Sequence, residues 1–258
     1  MHILLTNDDG IEAPGIAAAA RALAQLGRVT IVAPDRERSA NSHALTIRSP
    51  LYRTDHGSTD RRVRRIALSG TPVDCVKMAL DHLLAEDLPD VIVSGINNGY
   101  NLGSDVIYSG TVAAAMEGGF YGIPAIAVSM PRFDEQRAEE TALFVRQCIE
   151  SIVAAQGFSG VLNINVPPRG EISFANAVVV PQGIQKYNNV IAEKIDEKGM
   201  TSYWLAGEID GRCGTDREDV GAIRNQVVTL TPLRWIQTDH GQLDILKKYV
   251  RKAKQETC

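Results

Sequence analysis

Cysteine is scarce in this chain. Its four cysteines, Cys75, Cys148, Cys213 and Cys258, are scattered and form no C-x-x-C pair. That excludes a disulfide scaffold and a cysteine-ligated zinc site, and free thiols in a reducing compartment are expected. A basic surplus is missing too: 27 Lys and Arg against 31 Asp and Glu leave a net charge of −4, without the basic stripe of a nucleic-acid binder. No apolar run approaches the roughly 18 residues of a membrane span. The opening HILLT follows no basic segment and no long apolar one, so no signal peptide is expected. These absences predict a cytoplasmic protein with neither nucleic acid nor membrane as partner. No internal repeat and no low-complexity segment is found.

What is present is an ordinary globular composition, 44% apolar and 22% charged, over 258 residues. That length suits one large α/β domain, or one domain with a small appendage. Short apolar runs alternate with helical patterns as far as about residue 170. Strands are predicted at 2–6, 29–34, 90–95, 124–130 and 160–167. Helices are predicted at 14–27, 72–85, 111–120 and 139–156. Pro14 and Gly27 bracket the first helix as helix ends favour. The strands read as continuous apolar runs, the pattern of a parallel sheet covered on both faces. Strand–helix alternation then gives a doubly wound α/β fold with a mostly parallel sheet. SHALTIRSPLYRTD (42–55) and RRVRRIALSG (61–70) look extended, a hairpin inserted at about 44–70 beside the main sheet. The RRVRR charges suit an exposed strand edge guarded by charge.

The alternation stops at about 171. FANAVVVPQG and NQVVTLTPLRWI read as strands, and GQLDILKKYVRKAKQ as an amphipathic terminal helix. Between the two strands, residues 184–224 show no clean period. A structureless loop of that length is unusual in a compact domain, so extended arms or hairpins packing on a partner subunit are expected. The expected division is a catalytic core over 1–170 and a C-terminal oligomerisation extension over 171–258.

Ligands of parallel α/β sheets bind at the carboxyl ends of the strands. After the first strand comes Asn7-Asp8-Asp9-Gly10; after the second, PDRERSANSH; after the third, SGINNGYNLGSDVIYSGT. All three loops carry small oxygen-bearing side chains. Adjacent carboxylates are tolerated where a divalent cation joins them, and Mg²⁺ takes carboxylates, water and phosphate oxygens. The competing reading of NDDG is a turn in which side chains bond their own backbone. Ser109, Gly110 and Thr111 open the third predicted helix, where free N–H groups favour an anion; an ordinary hydroxyl cap explains them equally well. SGTP (69–72) is either a loop at the same edge or a helix start. Arg36 and Arg38 suit either phosphate contact or solvent, and His43 either a proton donor or a supporting hydrogen bond.

Taken together, ILLTNDDG, IVAPDRERSANSHALT, GTPVDCV, PDVIVSGINNGYNLGSDVIYSGTVAAAMEG, GIPAIAVS and LNINVP, followed by YWL, GTD and LTPL, resemble the SurE family. The resemblance implies a Rossmann-like core with a smaller C-terminal part exchanged between subunits, in homodimers or homotetramers. It implies hydrolysis of nucleoside 5′- and 3′-monophosphates, with a side activity on short polyphosphate in some members. It implies one divalent cation per subunit, Mg²⁺ or Mn²⁺, held by Asp8, Asp9, Ser39 and Asn97.

Phosphate monoesters hydrolyse extremely slowly unaided. A cation can polarise the phosphoryl group and lower the pKa of a coordinated water. The expected site therefore has the substrate phosphate reached by Asn97 and by the N–H groups around Ser109, Gly110 and Thr111, with Asp8 or Asp9 taking a proton from an attacking water. An aspartyl-phosphate route fits less well, because the carboxylates are adjacent rather than spaced D-x-D. A dinucleotide-dependent dehydrogenase would need G-x-G-x-x-G after the first strand, which NDDGIEAPG lacks. A nucleotide-binding regulator without turnover is the remaining alternative.

Overall fold

The computed structural model describes residues 1–256; Cys258 lies outside the described residues. The first strand, β1 (His2–Thr6), leads into helix α1 (Pro14–Leu23), then β2 (Arg28–Pro34), β3 (Arg53–His56), β4 (Val63–Leu68) and α2 (Pro72–Met78). There follow β5 (Val91–Asn98), α3 (Gly110–Phe120), β6 (Ala125–Met130), α4 (Glu135–Cys148) and β7 (Val161–Asn165). The remaining elements are β8 (Ala177–Val179), β9 (Tyr187–Ile195), β10 (Thr201–Ile209), α5 (Asp219–Ala222), β11 (Val228–Leu233) and α6 (His240–Glu256).

Nine strands form one sheet in the order β3-β4-β2-β1-β5-β6-β7-β11-β8. From β4 to β7 every pair is parallel, as the continuous apolar runs predicted. Leu4, Val32, Ile66, Ile92 and Ala127 face α2 and α3. Ile3, Leu5, Ile31, Val93 and Val128 face α1 and α4. Both faces are dry, which is why these strands do not alternate with polar residues. From β1 the chain winds first toward β2 and β4, then crosses to β5 and away on the other side. The topological switch point therefore falls between β1 and β5, where such sheets bind ligands.

Three segments differ from the sequence reading. The extended 61–70 stretch is not an edge beside the sheet: β4 pairs with β2 in parallel and with β3 antiparallel. The edge is β3, and Arg65 is half-buried, donating to Ile11 O and to Glu12. Beyond residue 170 the strand-like runs contribute β8 and β11, which extend the same sheet from β7. Helix α4 also begins earlier than its apolar period, because Asp134 caps it by accepting the Arg137 N–H at 2.8 Å. Only β9 and β10 leave the sheet, as a separate antiparallel pair whose Val190, Ile191, Trp204 and Leu205 are exposed. The terminal helix α6 likewise exposes Ile245, Leu246, Tyr249 and Val250.

Candidate metal and phosphate site

The turn after β1 is made by Asn7, not by the aspartates. The Asn7 Oδ1 accepts the Gly10 N–H at 3.2 Å, and its Nδ2 donates to Gly10 O at 2.9 Å. Asn7 is fully buried, so the amide closes the turn and leaves both carboxylates outside it. Gly10 has φ +99°, and a Cβ there would stand 3.0 Å from the Arg36 carbonyl carbon. Its missing side chain lets this turn lie directly against the loop after β2.

Asp8 is buried and points at the start of α3. The Thr111 N–H donates to its Oδ2 at 3.2 Å, and the Thr111 hydroxyl donates to its Oδ1. A Cβ on Gly110 would meet Asp8 Cβ and Oδ2 at 3.0 Å. Burial pushes the Asp8 carboxyl up to about 6; the Asp9 charge adds to this and the Thr111 hydrogen bonds oppose it. Asp9 is half-buried and raised as well, by burial and by the Glu37 charge, against the Asn98 N–H that it accepts at 3.2 Å. Among the described residues neither carboxylate has a Lys, Arg or His partner.

The second loop is fastened to the first. The Arg38 N–H donates to Asp8 O at 2.7 Å, and its guanidinium reaches Ser69 O at 2.6 Å and Asp35 at 3.5 Å. The Arg38 Nη2 is thus taken up by protein groups, while its buried Nε has no partner among the described residues. Ser39 is exposed beside the cavity, its hydroxyl donating to Glu37 Oε1 at 2.8 Å. Ala40 and Ser42 take left-handed backbone angles, φ +57° and +52°. Such angles persist only where neighbours hold them, and Ser42 donates from its N–H to Tyr108 O and from its hydroxyl to Ile107 O. The His43 ring bonds the buried Glu117 at 2.8 Å and lies 5.7 Å from the Phe120 ring. This is the supporting role among its two readings. The SGTP stretch is a helix start, with Thr71 and Asp74 capping α2 reciprocally.

The third loop is aimed by a bulge in β5. Ser94 pairs with Ala127, but Asn97 pairs with Ser129, so three steps on β5 face two on β6. The extra residue turns the strand over. Ile96 joins the core on the α1 side although Ile92 lies on the α2 side, and Asn97 is delivered to the rim of the cavity. The Asn97 Nδ2 donates to Gly99 O at 2.9 Å, which leaves its Oδ1 for a ligand. The Asn98 side chain is committed elsewhere, accepting the Phe133 N–H at 2.8 Å. Buried Asn101 fixes the following loop through Ser129, Asn163 and Asn165. Ser109 caps α3 by accepting the Val112 N–H at 3.0 Å. With both Thr111 donors on Asp8, the anion-binding donors left at this helix start are the Ser109 hydroxyl and the Gly110 N–H.

Asp8, Ser39, Asn97 and Ser109 line one cavity of about 370 Å³, together with Tyr108 and Tyr187. Asp9 stands beside it on the Asn98 backbone. Among the described residues no Lys, Arg or His lines this cavity. A phosphate entering it would meet Asp8 and Asp105 in the lining and Asp9 beside it; Asp105 is held by the Gln185 amide and the Tyr187 hydroxyl, whereas Asp8 and Asp9 have no basic partner among the described residues. The oxygen-only donor set and the unpaired charge of Asp8 and Asp9 fit a hard divalent cation. Zinc, which favours His and Cys, has no such ligands here. Glu37 and Tyr187 were not singled out from sequence. Glu37 sits among charged loop residues, and Tyr187 comes from a stretch without period.

The matches to known proteins run over nearly the whole chain. The family model described as Survival protein SurE matches residues 3–189. The chain is 41% identical to a 5′-nucleotidase SurE of Carboxydothermus hydrogenoformans, over 97% of each sequence. It is 44% identical to a 5′-nucleotidase SurE of Thermosynechococcus vestitus, over 94% of this chain and 93% of that one. Its fold is similar to the crystal structure of SurE protein from Aquifex aeolicus, with a TM-score of 0.78 and 36% identity, over 96% of this chain and 99% of that one.

Proposed function

The chain belongs to the SurE family, and from its relatives named 5′-nucleotidase we infer that it is a nucleotidase, hydrolysing nucleoside monophosphates to nucleoside and phosphate. We propose that it does so with one divalent cation per subunit, Mg²⁺ or Mn²⁺, on Asp8, Asp9, Ser39 and Asn97. The observation that carries this reading is the pair Asp8–Asp9, Asp8 in the cavity lining and Asp9 beside it, held among the described residues without a basic partner and with no Lys, Arg or His in that lining. A phosphate dianion cannot bind there unless a cation compensates the carboxylates.

When bound, the cation withdraws charge from the phosphoryl oxygens and acidifies a water. The chain's own groups do the rest. The Ser109 hydroxyl, the Gly110 N–H and the start of α3 hold the phosphate, with Asn97 beside it. Water attacks phosphorus, the ester P–O bond breaks, the water proton passes to a carboxylate, and the departing nucleoside oxygen takes up a proton from solvent to leave as the alcohol. Asp9 is the better acceptor, because it takes only the Asn98 N–H on Oδ2, whereas both Asp8 oxygens receive Thr111 donors. Short polyphosphate is a side substrate of the same site in this proposal.

Two further parts of the proposal concern setting. The exposed apolar residues of β9, β10 and α6 support assembly of two or four copies through the C-terminal segment. Free Cys75, Cys148 and Cys213 suit the cytoplasm; among the described residues no helix is long and apolar enough to cross a membrane.

Phosphate release from purine and pyrimidine 5′- and 3′-monophosphates, with Mn²⁺ or with excess chelator, tests the reading. Release with Mn²⁺ that chelator abolishes is expected. Nucleotide binding without release would instead make the chain a regulator.

A further inference from the structure

Glu37 is an exposed glutamate between Arg36 and Arg38, and among the described residues it pairs with neither. Arg38 is turned away to Ser69 O and Asp35. The Glu37 Oε1 instead accepts the hydroxyl of Ser39 at 2.8 Å. That hydroxyl belongs to a residue lining the cavity, and the Glu37 charge contributes to raising the Asp9 carboxyl. The backbone of the same loop is clamped to Asp8 O through the Arg38 N–H and packs on Gly10. Glu37 and Ser39, two positions apart on either side of this clamp, are presented together beside the aspartates.

A serine hydroxyl has one proton and two lone pairs. To serve a cation it must offer the lone pairs and send its proton elsewhere. Without an acceptor the hydroxyl would be free to rotate and point its proton into the site. An anionic acceptor fixes that rotation and makes the oxygen more electron-rich, as partners of metal ligands commonly do. We propose that Glu37 is a positioning residue for the cation: by taking the Ser39 proton it aims the Ser39 lone pairs at the ion and tightens its binding. This inference rests on the cation site proposed above and adds a residue to it.

The test is calorimetric titration of the ion-free protein with Mn²⁺ alone, so that no turnover is needed. The proteins are the native chain, Glu37→Ala, Glu37→Gln, Ser39→Ala and the double variant Ser39→Ala/Glu37→Ala. Glu37→Ala should weaken Mn²⁺ binding by about 10–100-fold. Glu37→Gln should lose less, since its amide oxygen still accepts the proton. In the Ser39→Ala background the same Glu37→Ala change should cost far less, the signature of two groups acting as a unit. Equal losses in both backgrounds would mean that Glu37 acts only through its charge, and would overturn the proposal, as would native-like binding by Glu37→Ala. A native chain that binds no Mn²⁺ would overturn the cation site itself. Glu37 is exposed, and matching melting temperatures in chelator check that all five proteins are folded.

Discussion

Thr111, in the first turn of α3, closes both its N–H and its hydroxyl on the carboxylate of Asp8, 103 positions earlier at the end of β1. This double contact seals Asp8 against the helix, with Gly110 giving the room. It ties the carboxylate's protonation, its geometry and the anion-binding end of α3 into one unit. The site's chemistry therefore depends on packing as much as on ligand identity.

Burial of Asp8 has a thermodynamic signature. Its carboxyl is raised from 3.8 to about 6 in the folded chain. Between those values the folded protein holds a proton that the unfolded chain has released. Stability from this group accordingly falls as pH rises through that interval, by a total on the order of 3 kcal/mol. In chelator, calorimetric melting of the native chain should drop from pH 4 to pH 7 relative to Asp8→Asn. Mn²⁺ at pH 7 should recover much of the loss. Parallel melting profiles for the two proteins would contradict the assignment.

The carboxylates and the hydroxyl should not be equivalent. Asp8→Asn and Asp9→Ala should each lower Mn²⁺-dependent nucleotide hydrolysis by about 10²–10³-fold, the usual cost of removing a group that stabilises the charged transition state. Ser39→Ala should be milder, because a neutral oxygen contributes less. Steady-state kinetics with matched circular dichroism decides; near-native turnover by Asp9→Ala would remove it from the site.

Gly110→Ala isolates the packing itself. The added Cβ would press on Asp8 Cβ and Oδ2 at 3.0 Å without changing any ligand. The neighbour must give by a few tenths of an ångström; as displacement near 1 Å at a reacting centre costs up to about 10²-fold, we expect kcat/KM to fall by up to about 10-fold. Gly57→Ala, whose Cβ would meet nothing within 4 Å, should leave it unchanged.

His43 offers a contrast. Were it the acid for the leaving group, His43→Ala would lower kcat by about 10²–10⁴-fold. Its bond to the buried Glu117, which Lys77 also approaches at 3.3 Å, predicts another outcome. The variant should lose about 1–3 kcal/mol of stability and keep kcat within a few-fold. A melting curve and a pH–kcat profile together separate the two roles.

The sequence by itself determined the parallel sheet, because strands dry on both faces must be apolar throughout, and it determined which loops carry oxygen donors. It also placed Asp8, Asp9, Ser39 and Asn97 at strand ends, which the connectivity brings to one edge. Only the tertiary structure decided what each donor does there. That a bulge turns Asn97 over and that Thr111 is spent on Asp8 depend on contacts between segments remote in the chain. Period and composition report a residue's own burial and have no access to its partner. For the same reason Glu37 looked like one more charge in PDRERS, until the fold turned Arg38 away and left it facing Ser39.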